Sequence, residues 1–193
     1  MSRGRTRALK LAPFVALAAA GLVLAGQAMV VPAKAAVAQV LLERAFDQSV
    51  QTGAPVRPWG WADTAPVARI SAPRLGVRQV VLSGGSGQAM AFAPTLLPGG
   101  GEPGVRGTAV YAAHRDTHFR FLEQLEAGDV LTVEGVDGGT QTYRVTGAGV
   151  VRKDRFGVTR TGRAAIALTT CWPFGADTRG PWRYVVRAER VAG

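Results

Sequence analysis

The only cysteine of the chain, Cys171, ends an apolar run that is typical of a β-strand. Alternate side chains of a strand point to opposite faces, so Ala165, Ala167 and Thr169 share the face of the thiol. Side chains this small leave room beside the strand, as a substrate cleft requires. The alternative interpretation is a small buried hydrophobe, because unpaired cysteines are often found inside proteins.

A histidine and an arginine accompany the cysteine. His114 follows a strand-like run within AAHRDTHF, upstream of Cys171. An imidazole that exchanges a proton with a cysteine activates it, because the thiolate is the attacking species. Arg183 lies in a second alternating run after Cys171, on the strand face that can border the same groove. Arg179, nearer to the cysteine in sequence, is the competing candidate.

A second histidine, His118, lies four residues after His114, with Asp116 between them. This spacing invites a metal interpretation, but a metal site needs a third ligand, and neither an acid pair nor another cysteine stands near by. We therefore expect no metal ion and no other cofactor. We expect a solvated His118, and an Asp116 that caps a short helix over 119–125.

The amino-terminal part combines a basic start with an apolar run. Residues 1–10 carry three arginines, one lysine and no acid, and residues 11–33 carry no charge. A helix of that length spans about 35 Å, against roughly 30 Å of hydrocarbon, which predicts a transmembrane signal-anchor over 11–33. The positive-inside rule then keeps the basic tail in the cytoplasm and the rest of the chain outside it. A cleaved signal peptide is the alternative.

A linker and one β domain follow. Residues 34–63 contain a helix-compatible segment and several prolines, which indicates a juxtamembrane helix and an extended tether. Residues 64–193 consist of short alternating runs separated by glycine and proline turns. Seven or eight such runs with little helix predict an antiparallel sandwich or a small closed barrel.

The formal net charge is +10, and the arginines of the β domain are spread without forming a run. A nucleic-acid-binding arm is therefore not indicated. A basic exported surface suits anionic lipids or envelope polymers. The single cysteine cannot form an internal disulfide, so its thiol is either spare or used.

These motifs carry a resemblance to a known family. The histidine in AAHRDTHF, the cysteine in ALTTCWPF and the arginine in PWRYVV, in this order, resemble the sortases, which are membrane-anchored cysteine transpeptidases. The HRDTHF and TTCWPF motifs are most similar to those of the sortase class of Gram-negative bacteria, class GN. The resemblance implies a mostly β, sortase-like closed barrel with short helices, preceded by one transmembrane helix. It places the anchor in the inner membrane and the catalytic domain, 64–193, in the periplasm.

The resemblance also implies roles for the site residues. Cys171 is the nucleophile that attacks the threonyl carbonyl of a sorting signal resembling LPxTG, and a thioester results. His114 is the general acid for the departing glycine nitrogen and then the base for the incoming amine. Arg183 donates hydrogen bonds to the developing oxyanion. Three residues are expected to contact the bound peptide: Thr170, Thr169 and Ala113. The last of these stands where sortases often have glycine.

The implied partners are a secreted protein with a carboxyl-terminal sorting signal, an amine acceptor and the inner membrane. Residues 152–162 are long enough to form a lid over the site. Two other functions stay open at this point. One is an envelope module that binds a peptide without catalysing a reaction on it. The other is a cysteine transpeptidase that crosslinks peptidoglycan, although the chain lacks the SHGC-like motif expected of that type.

Overall fold

The computed structural model describes residues 3–157, 162–178 and 180–191. The chain divides into two compact units, Met1–Val40 and Leu41–Gly193. A long helix, α1 (Arg3–Thr52), contains most of the first unit and begins the second. In the part of the chain described, no helix combines the length and the apolar character of a membrane span. The transmembrane helix predicted over 11–33 is therefore not supported.

The second unit is built around a closed barrel of eight strands. The strands are β1 (Pro66–Ala72), β2 (Val77–Ser83), β3 (Thr95–Leu96), β4 (Gly107–Ala112), β5 (Val130–Gly135), β6 (Thr140–Arg152), β7 (Ala164–Cys171) and β8 (Trp182–Arg190). They follow one another around the barrel in the order β1-β2-β3-β4-β7-β8-β6-β5, and β5 pairs back to β1. The closed barrel predicted from the sequence is confirmed.

The helices of the barrel unit, apart from the end of α1, are short. They are α2 (Gly87–Met90) and two 3₁₀ helices, Pro73–Leu75 and Arg120–Gln124. Two strand pairs, β2–β3 and β4–β7, are parallel, whereas the sequence predicts an antiparallel sheet throughout. Local alternation indicates a strand but not the direction of its partner, and β4 and β7 are separated along the chain by β5 and β6.

Both faces of β7 are buried. Ile166 and Leu168 point into the main core inside the barrel, whereas Ala167 packs with Val110 and Val185 in a smaller cluster on the outer face. Phe156, from the connection after β6, packs against that smaller cluster.

This packing corrects the expectation of open space along the thiol-bearing face. Ala165, Ala167 and Thr169 are buried, and only Cys171 at the end of the strand is partly exposed. Phe156 packs against the cluster around Ala167, and the cavity that borders Ala165 and Ala167 has a volume of about 90 Å³.

The end of α1 packs on the barrel within the second unit. Leu42 and Phe46 are fully buried in a cluster with Val80 and Leu82 of β2. The second compact unit therefore begins at Leu41. It contains residues 41–63 in addition to the catalytic domain predicted over 64–193.

Arg69 of β1 links this helical segment to the sheet. Its guanidinium donates to Glu43 (3.1 Å) and Asp47 (3.0 Å) of α1 and to Glu134 of β5 (2.7 Å). It also lies 4.4 Å from the ring centroid of Phe46. One buried cation thus joins three carboxylates from two elements.

Replacing Arg69 with methionine tests this link. We expect Arg69→Met to lower the free energy of unfolding by about 2 kcal/mol, because several charge-assisted hydrogen bonds are lost around a buried group. Urea unfolding of the purified chain measures the change. Arg78→Met is the matched control, because Arg78 is exposed and lies 3.9 Å from the same Glu43. It should cost less than about 0.5 kcal/mol, and equal losses in the two variants would contradict the assignment.

Candidate active site

The end of β4 is held against β7 through both backbone groups of one residue. The amide of Ala113 donates to the carbonyl of Thr169 (3.3 Å), and the carbonyl of Ala113 accepts from the hydroxyl of Thr170 (2.7 Å). The next residue, His114, therefore leaves β4 beside the end of β7, where Cys171 lies. Its side chain is exposed.

A tight turn follows the histidine. The carbonyl of His114 accepts from the amide of Phe119 (3.1 Å), whose ring is fully buried in the main core. The backbone on both sides of the imidazole is thus anchored to fixed parts of the barrel.

The structure corrects two expectations in this turn. The short helix is a 3₁₀ helix over Arg120–Gln124 without a side-chain cap, so Asp116 does not cap it. His118 is not fully solvated, because it is partly buried and its Nδ1 lies 2.9 Å from Oε1 of Gln79 on β2. Burial lowers the pKa of His118, and the nearby charge of His114 lowers it further, while a hydrogen bond with the backbone of Ala91 opposes both.

Cys171 and Arg183 face one another across two antiparallel strands. They are Cα partners in the β7–β8 ladder. Nη1 of Arg183 donates to the carbonyls of Gly180 (3.0 Å) and Trp182 (2.9 Å), so part of its donor capacity is directed to its own backbone. Arg179, the competing arginine, lies outside the described residues.

A cavity of about 350 Å³ opens where these strands end. Its lining residues are His114, Arg115, Asp116, Cys171, Gly175, Ala176 and Asp177. Cys171 and His114 therefore border the same space, whereas Arg183 is not among the lining residues. Within the described residues, no three histidine, cysteine or acidic side chains come together as a metal site would require.

A second cavity, of about 260 Å³, adjoins the first and shares Arg115, Asp116 and Gly175 with it. Arg120, Glu123 and Phe174 complete its lining. Together the two cavities form a trench that extends from the thiol past the turn after His114.

Aromatic side chains fix the far wall of this trench, which is the β7–β8 connection (172–181, with 179 not described). Trp172 stacks on Tyr184 with centroids 5.6 Å apart, and Phe174 meets Tyr184 edge-on at 5.3 Å. Sequence reasoning missed this cluster, although aromatic residues one and three positions after the cysteine were a visible signal.

The three residues predicted to contact the peptide have internal contacts. Thr169, Thr170 and Ala113 are 6%, 2% and 6% exposed. The hydroxyl of Thr170 donates to the carbonyl of Ala113, whereas that of Thr169 has no hydrogen-bond partner in the part of the chain that the structure describes. Peptide binding by these residues stays a prediction.

Valine substitutions at the two threonines distinguish their hydroxyls. We expect Thr170→Val to lower the free energy of unfolding by about 1 kcal/mol, because a buried hydrogen bond is lost. The matched variant Thr169→Val should leave stability unchanged or raise it, because it removes a buried hydroxyl that has no partner. Urea unfolding measures both, and a larger loss at Thr169 would show that its hydroxyl is in fact satisfied.

The partly buried His118 predicts a pH dependence of stability. Its pKa in the folded state lies below the ordinary value of about 6.5, so the unfolded chain binds more protons between these two pKa values. Stability should therefore fall as the pH decreases below about 6.5. We expect His118→Gln to have a flatter dependence between pH 7.5 and 5 than the unsubstituted chain, as followed by urea unfolding. Identical slopes of stability against pH in the two proteins would mean that another titrating group determines the pH dependence.

Comparison with known proteins agrees with this architecture. A sortase domain model matches residues 70–191. Sortase D of Bacillus subtilis (strain 168) is 34% identical over 91 residues, which is 46% of this chain and 46% of that protein. The chain thus matches less than half the length of this curated relative.

Solved structures give the same result. Sortase C-1 from Actinomyces oris superposes with a TM-score of 0.54 and 30% identity, covering 66% of this chain and 76% of that one. Sortase A from Corynebacterium diphtheriae has a TM-score of 0.60 at 24% identity, covering 68% and 63%, and at that identity it shows the fold alone. Since the family match runs from the first strand of the barrel through the last, the chain belongs to the sortase family.

Proposed function

We propose that this chain is a cysteine transpeptidase that cleaves the sorting signal of a secreted protein and transfers the protein to an amine. Sortases as a family act on proteins with sorting signals and on amine acceptors. The observation that supports the proposal most directly is the cavity that Cys171 and His114 line together.

In the first half-reaction, the thiolate of Cys171 attacks the threonyl carbonyl carbon of an LPxTG-like signal. The imidazolium of His114 donates its proton to the glycine nitrogen as the Thr–Gly bond breaks, and a thioester remains on the sulfur. The exposure of His114 and the partial exposure of Cys171 suit a substrate that enters from solvent.

In the second half-reaction, the acceptor amine attacks the thioester carbonyl. His114, now neutral, removes a proton from the amine, and the sulfur departs as a thiolate. The products are a new amide bond and the starting enzyme.

Arg183 is proposed to stabilise the oxyanion in both steps. A guanidinium carries five N–H groups, and those on Nε and Nη2 are distinct from the Nη1 donors that bond to Gly180 and Trp182. The position opposite Cys171 in the ladder supports this role. A fixed cation directed at developing negative charge lowers the barrier more than one that must reorganise.

A trapping experiment tests the proposed function. The purified chain is incubated with an LPxTG-type peptide, and the adduct is identified by mass spectrometry, with hydroxylamine as the acceptor in a parallel reaction. We expect a thioester on Cys171, release of the glycine fragment and a hydroxamate product, all absent in Cys171→Ala. Peptide binding without an adduct would instead indicate a binding module. An adduct only with peptidoglycan stem peptides would indicate a crosslinking enzyme.

The proposed role of Arg183 predicts that a conservative substitution at this position strongly lowers turnover. We expect Arg183→Lys to lower kcat by about 10²-fold, because a point charge cannot reproduce the planar donor fork. Arg187→Lys is the matched control, since Arg187 lies on the same face of β8 and pairs with Ala167, away from the thiol. The control should remain within about twofold in the same peptide assay. Equal turnover of the two variants would remove Arg183 from the mechanism.

We also propose assignment to class GN and a location in the cell envelope, with residues 1–10 in the cytoplasm and the barrel in the periplasm. Both rest on the sequence: HRDTHF and TTCWPF for the class, and the basic and apolar pattern of 1–33 for the location. Because the chain has one cysteine, a membrane-impermeant maleimide tests the location. Labelling in intact spheroplasts is expected, and labelling only after lysis would place the barrel in the cytoplasm.

A further inference from the structure

Arg115, the residue after His114, is the most deeply buried charged side chain bordering the trench. It is 6% exposed. Its Nη2 donates to the carbonyl of Ala176 and to that of Thr178 (2.9 Å), which lie more than sixty residues further along the chain. Nε lies 3.5 Å from the exposed carboxylate of Asp116.

The two carbonyls belong to the connection that begins directly after Cys171. One wall of the 350 Å³ cavity consists of 114–116, and the other consists of 175–177. The guanidinium of Arg115 therefore joins the wall that carries the imidazole to the wall that follows the thiol. The aromatic cluster of Trp172, Phe174 and Tyr184 holds the same connection to β8.

The burial of Arg115 is not explained by general packing. A guanidinium loses hydration when buried, and this loss is offset only if its N–H groups find partners. Among the described residues Nη1 has no hydrogen-bond partner, so these residues leave part of its donor capacity unused. The contacts that offset the desolvation are mainly those that cross the cavity.

We propose that Arg115 is a positioning residue, which holds the turn of His114 against the connection after Cys171 and so sets the separation of imidazole and thiol. It acts through these two groups and does not itself contact the reacting atoms. The link to transpeptidation rests on the proposed function, whereas the coupling of imidazole to thiol can be measured without a substrate.

The first test uses the reactivity of the single cysteine. The rate of alkylation by iodoacetamide is measured against pH for the unsubstituted chain, Arg115→Met, Arg115→Lys, His114→Ala and the double variant Arg115→Met/His114→Ala. We expect the profile of Arg115→Met to shift toward that of His114→Ala, and the double variant to match His114→Ala alone, because the two substitutions remove one interaction. Arg115→Lys should recover part of the normal profile, because an ammonium can reach one of the two carbonyls.

The second test uses turnover of an LPxTG-type peptide. We expect Arg115→Met to lower kcat by about 10²-fold, the effect of a misplacement of about 1 Å, with a smaller change in KM. Arg106→Met is the matched control, because Arg106 is an exposed arginine directly before β4, at the end of that strand opposite His114, and it lines neither cavity. Its alkylation profile and kcat should equal those of the unsubstituted chain.

An alkylation profile in Arg115→Met that equals the unsubstituted one, with only a loss of folding stability, would overturn the proposal. If Arg115→Met does not fold, Arg115→Lys serves instead. An unshifted alkylation profile in folded Arg115→Lys, together with full turnover of the peptide, would also overturn the proposal. If the unsubstituted chain turns over no peptide but Arg115→Met still shifts the alkylation profile, the proposed function fails and the positioning role stands.

Discussion

The parallel pairing of β4 with β7 is the constraint on which the site depends. Parallel strands end at the same edge of a sheet, so His114 after β4 and Cys171 at the end of β7 reach one rim of the barrel. The antiparallel β8 begins at that rim and brings Arg183 opposite the thiol. A register shift of one residue would place imidazole and thiol on opposite faces, because side chains alternate along each strand. The register is set by Ile166 and Leu168, whose side chains must enter the core.

Burial of β7 on both faces has a consequence for access to the thiol. Phe156 packs against the outer face around Ala167, and the cavity beside Ala165 and Ala167 has a volume of about 90 Å³, so a bound peptide has little room along this part of the strand. Access is instead at the end of the strand, where the cavity opens around Cys171. The same packing gives the nucleophile a rigid support, which favours a constant geometry at the sulfur.

The sequence is sufficient for the parts of the structure that depend on local pattern. Alternation predicts most strands and restricts the fold to a sandwich or a closed barrel, and residue chemistry selects Cys171 and His114, which the structure brings to one cavity. The sequence is insufficient where a side chain contacts the backbone of a distant segment. The carbonyls that hold Arg115 have no side-chain signature, so nothing in the local sequence separates it from the exposed Arg120. The same reason applies to His118, whose contact with Gln79 joins it to a distant strand.

Two arginines hold the β7–β8 connection at two places. Arg115 bonds to carbonyls in its middle, and Arg183 bonds to the carbonyls of Gly180 and Trp182 at its close. Hydrogen bonds from a charged donor are shorter and stronger than neutral ones, so each carbonyl is held more firmly than in an ordinary turn. Trp172 and Phe174 add apolar contacts at the start of the connection. A wall fixed in this way before substrate arrives needs little reorganisation when charge develops, which is the condition under which electrostatic stabilisation of a transition state is most effective.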